Sequence, residues 1–146
     1  MKTLSLLLLT TTLAFSVKAA EKKVIEIGVK PESVCRGFGG KLYVTMINGG
    51  EPGDGEIKVL DGDGHKVFAK GLNNPKGMAF AGGYLVVSDE TMIRKVDKKG
   101  KVTVLAEAKD FPKEVTFLND VAASRDGKSV YVTDMSHPKW MFDPDG

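Results

Sequence analysis

The sequence predicts an all-β protein, a β-propeller of four-stranded antiparallel blades, and three observations predict it. Short apolar runs recur: Leu42-Tyr43-Val44-Thr45, Leu85-Val86-Val87-Ser88 and Val130-Tyr131-Val132-Thr133 begin 43 and 45 residues apart. Their β-branched and aromatic content, with Gly39-Gly40, Gly82-Gly83 and Asp126-Gly127 just upstream, marks strands entered from tight turns. Each run is followed by a second one that ends in Asp-x-x-Gly. In that spacing the aspartate bonds backbone groups ahead of it and the glycine tolerates positive φ, which makes a hairpin. The repeat length falls within the roughly 40 to 50 residues of propeller blades, whereas a two-layer sandwich does not require four strands to recur with matching turns.

Along the chain, residues 1–20 stand outside the repeat. Lys2 gives a positive start, residues 4–17 an apolar stretch softened by Thr and Ser, and Val17, Ala19 and Ala20 the small residues of a signal-peptidase site. The apolar stretch is shorter than the ~20 residues of a bilayer span, and Glu21-Lys22-Lys23 follows at once. The reading is a cleaved signal peptide, with export to the periplasm or the extracellular space. Residues 23–27 alternate polar with apolar and have no place in the first blade, so they are expected to form a strand that completes the last blade and closes the ring.

The domain is expected over residues 21–146, with blades at about 31–72, 75–106 and 118–146. The first blade runs from Pro31-Glu32-Ser33-Val34 through Leu42 to Thr45, then Ile57-Lys58-Val59-Leu60 into the Asp61 to Gly64 turn, then Lys66-Val67-Phe68-Ala69. The second repeats this as Pro75-Lys76-Gly77-Met78, Leu85 to Ser88, Ile93-Arg94-Lys95-Val96 and Val102-Thr103-Val104-Leu105. The third has Leu118-Asn119-Asp120-Val121, Val130 to Thr133 and Trp140-Met141-Phe142, and the chain stops at its turn glycine, Gly146. Insertions at 48–55 and 107–117 lengthen loops without disturbing strands. Three blades are about half of a ring of ~6, so further C-terminal blades are expected to be needed for closure.

Composition narrows the partners. At 42% hydrophobic and 27% charged residues the chain has the balance of a folded globular protein, which sets disorder aside. There are 21 Lys and Arg against 19 Asp and Glu, and loss of Lys2 and Lys18 with the signal leaves the charge even. No basic excess remains for nucleic acid or for a membrane surface. Cys35 is the single cysteine, so no intrachain disulfide forms, and its place between Val34 and Arg36 reads as a small buried hydrophobe.

Pro31-Glu32-Ser33-Val34, Leu118-Asn119-Asp120-Val121-Ala122 and the run from Asp126 to Asp134 together resemble the senescence marker protein/gluconolactonase family of six-bladed propellers, regucalcin-like proteins among them. Strictosidine-synthase-like and NHL-repeat proteins are its relatives. The resemblance spans 23–146 and implies a divalent cation, often calcium, held by Glu, Asn and Asp side chains at the starts of inner strands. It would make Glu32 a metal ligand, Asn119 a metal or substrate ligand, and Asp120 a substrate contact beside it. Glu32, Lys76 and Asn119 occupy equivalent repeat positions, and Lys76 departs from the pattern because an ammonium cannot coordinate a cation. It is free to pair with Glu32 or to face solvent. The implied activity is a calcium-dependent hydrolase of lactones or related esters acting on a small molecule; the alternative is a non-catalytic propeller that binds a ligand or protein. Alternatives within the chain are weak. Asp61-Gly62-Asp63-Gly64 lacks a glutamate at the twelfth position, Leu72, so it reads as a hairpin turn, and His65 and His137 lack metal spacing.

Overall fold

The computed structural model describes residues 22–135. The signal segment and the expected strand at Trp140 lie outside them, as does His137. The described chain is all-β, in repeated four-stranded antiparallel sheets consistent with propeller-like blades. The first sheet is β1 (Pro31–Arg36), β2 (Leu42–Met46), β3 (Gly55–Asp61) and β4 (Gly64–Leu72), paired in that order. The second repeats it with β5 (Pro75–Ala81), β6 (Tyr84–Asp89), β7 (Met92–Val96) and β8 (Val102–Ala106). In the third, β9 (Leu118–Ala123) pairs with β10 (Val130–Asp134). Every strand expected within the described blades is present, and Asp61 pairs with Gly64 across the β3–β4 hairpin, so that acidic loop is a turn.

Residues 22–27 join no sheet among the described residues, and the closing blade that 23–27 are expected to complete lies outside them. They touch the first sheet through side chains instead: Lys58 Nζ donates to the Ile27 carbonyl at 2.8 Å, and Lys23 pairs with Asp63.

The core explains the apolar runs. Alternate residues of a strand point to opposite faces, and Leu85 and Val87 pack with Tyr43, Ile57, Val59 and Leu72 of the first sheet. Val86, between them, packs with Ile93, Leu118 and Val121 on the side of the third sheet. The middle sheet is therefore buried on both faces, and a strand wet on neither side has no reason to alternate. Gly100, at the β7–β8 turn, marks how closely the first two sheets approach: a Cβ there would lie 2.1 Å from the Phe68 carbonyl oxygen of β4.

The same irregularity recurs in all three sheets. Pro31 pairs with Met46 and Val34 with Val44, so Glu32-Ser33 oppose the single residue Thr45. Lys76-Gly77 likewise oppose Ser88, and Asn119-Asp120 oppose Thr133. Each first strand thus carries a bulge at its start, a device that bends a strand and re-aims its side chains.

Candidate functional site

Bulges leave ladder groups unpaired, and here a hydroxyl opposite each one takes up the slack. The Ser33 amide donates to Thr45 Oγ1 at 3.0 Å and the Asp120 amide to Thr133 Oγ1 at 2.9 Å. The hydroxyl protons then reach across to the next sheet. Thr45 donates to the Lys76 carbonyl at 2.9 Å, and Ser88 donates to the Asn119 carbonyl. The Thr45 and Ser88 hydroxyls therefore each fix the backbone of the site residue in the following blade, which locks the three bulges in relative register.

β5 lies between β1 and β9, and the bulges bring their starting residues to one end of the three strands. The packing is tight enough that a Cβ on Gly77 would fall 2.5 Å from the Asp120 Cα. Glu32, Lys76 and Asp120 then share one electrostatic neighbourhood. Partial burial pushes the Glu32 carboxyl above its ordinary value; the Lys76 ammonium pulls it back and the Asp120 carboxylate adds to the rise. The Lys76 ammonium is lowered, first by burial and then by Lys30, with Glu32 opposing. Glu32 and Lys76 do not close to a direct ion pair among the described residues. Instead Lys76 Nζ stands 5.6 Å from the centroid of the Phe117 ring, within cation–π range.

Asn119 is half-buried with its carbonyl held by Ser88, and Asp120 is exposed, its Oδ1 accepting the Val121 amide at 2.8 Å. For a hard divalent cation, which takes six to eight oxygen ligands at ~2.3 to 2.6 Å, this donor set is short. It offers two carboxylates and one amide, one carboxylate oxygen is already engaged, and an ammonium occupies the middle blade. No group of three His, Cys, Asp or Glu side chains suited to a metal occurs among the described residues. The residues present do not form a complete cation site.

Several contributors escaped the sequence reading. Asp89, fully buried, accepts the Asn73 and Asn74 amides at 2.9 and 2.8 Å and Arg94 Nε at 3.2 Å. Asp134 does the same one blade on, accepting the Thr116 amide at 2.9 Å and the Phe117 amide at 3.1 Å, which sets the ring under Lys76. The signal for both was the Ser88-Asp89 and Thr133-Asp134 column, which the first blade breaks with Thr45-Met46. Cys35 packs against the core, and burial pushes its thiol up to about 11. His65 is exposed. A separate cavity of about 280 Å³, lined by Tyr84, Lys95, Leu105 and Lys128, opens at the far ends of β5 and β6 from the bulges. Compared with known proteins, the chain matches no family model and no curated protein.

Proposed function

We propose that this chain is the leading part of an exported, six-bladed β-propeller that binds a small polar molecule where Glu32, Lys76, Asn119 and Asp120 meet. What carries this reading is that four residues of complementary chemistry stand on the same bulge in three consecutive blades. Lys76 donates to a carbonyl or carboxylate oxygen, Glu32 and Asp120 accept from hydroxyls, and the Asn119 amide does both. Such a set suits a polyhydroxy carbonyl compound, a sugar acid or its lactone, and the even charge without the signal supports neither nucleic acid nor membrane as partner. The test is calorimetric titration with a panel of aldonic acids and aldonolactones. Binding is expected, and Asn119→Ala and Lys76→Ala each weaken it by roughly tenfold or more, the loss of about one charge-assisted or buried hydrogen bond. A panel without a binder contradicts the reading.

A second reading, a calcium-dependent lactone or ester hydrolase, is favoured by the approach of two carboxylates, Glu32 and Asp120, from different blades. It requires oxygen donors beyond those described. It predicts a rise in melting temperature with calcium that Glu32→Gln and Asn119→Ala abolish.

A further inference from the structure

We infer that the Lys76 ammonium is itself the resident cation of this site, tethered on the middle blade between Glu32 and the Asn119-Asp120 pair. The inference rests on the small-molecule reading above and goes against the cation that the family resemblance implies. Three observations carry it. Lys76 holds the repeat position equivalent to Glu32 and Asn119, so the bulge delivers its side chain to the same end of the strands as theirs. The backbone beneath it is pinned, with its carbonyl bonded by Thr45 Oγ1 at 2.9 Å and Gly77 wedged against Asp120. The head group is held as well, on the face of Phe117, whose amide is fixed by Asp134.

Charge explains why a cation belongs there. Glu32 and Asp120 repel each other, and at Glu32 the attraction of Lys76 outweighs the repulsion of Asp120. A divalent ion brought to the same place would meet the Lys76 ammonium, with Lys30 adding to the positive field around it. The tethered ammonium thus offsets the Glu32 carboxylate and still offers N–H donors to a ligand oxygen, which a coordinated ion would otherwise have to polarise. The ligand class is the one proposed above, bound without metal.

Calcium chloride alone is the probe, titrated calorimetrically into the full chain and its Lys76→Gln, Lys76→Glu and Lys76→Arg variants, each checked for fold by circular dichroism. The unsubstituted chain and Lys76→Arg are expected to give no heat of binding at roughly 1 mM calcium, the range of weak extracellular sites. Lys76→Glu gains calcium affinity by roughly tenfold or more, with Lys76→Gln between, because an opposing charge has been removed and in one case reversed. Calcium binding by the unsubstituted chain as tight as by Lys76→Glu overturns the inference, and so does the absence of any gain in both charge-removing variants. Should Lys76→Glu not fold, Lys76→Gln, uncharged and similar in length, decides alone. If the calcium series behaves as expected while no acid or lactone binds, the small-molecule reading falls and the tethered cation stands.

Discussion

Glu32 lies on a bulge where partial burial penalises its charged form more than Lys76 rewards it. Its carboxyl therefore titrates above the ordinary 4.5 in the folded chain, and between the two values the folded state holds more proton than the unfolded one. Stability contributed by this residue is present below pH 4.5 and declines as pH rises through the folded value. Glu32→Gln is accordingly expected to raise the urea midpoint at neutral pH, with the gain shrinking toward pH 4 and below, as urea titrations along a pH series measure. A variant less stable than its parent at pH 7 contradicts this. That Glu32 and Lys76 are equivalent was legible in the sequence, because a repeat column is a matter of counting. That Phe117 takes the ammonium was not, since Phe117 lies in an insertion with no counterpart in the other blades.

Strands and hairpins were the most legible elements, since β-branched runs between Gly-rich turns are local signals. The bulges were invisible, because two residues opposing one is a property of a pair of strands and neither strand alone encodes it. Their consequence is mechanical: Thr45 and Ser88 became inter-blade ties, and the aspartate column became a clamp on the loops entering β5 and β9. Asp89 bonds two backbone amides and Arg94 in full burial, so Asp89→Ala leaves three donors without their acceptor. We expect a loss of about 3 kcal/mol in unfolding free energy, measured by urea denaturation, against about 1 kcal/mol for Ser88→Ala. Equal and small losses for both would show that the loops are held some other way.

At the scale of the molecule, among the described residues the middle sheet is covered on both faces and the outer two on one. Val34 is 59% exposed and Tyr131 70%, on the sheets at either end of the described array. Open apolar faces and strand edges seek cover, so the chain by itself is expected to self-associate. Size-exclusion chromatography with light scattering at increasing concentration reads this directly: a mass that rises with concentration is expected, and a monomer that melts cooperatively contradicts it. The repeat, its strands and the turns between them were determined by the sequence alone, because strand and turn chemistry acts over a few residues and a period shows wherever it recurs. Only the tertiary structure decided that Glu32, Lys76 and Asp120 share one electrostatic field, and that the lysine rests on Phe117. Those residues are separated by more than 40 positions, and their meeting depends on how closely β1, β5 and β9 pack, down to the missing Cβ of Gly77.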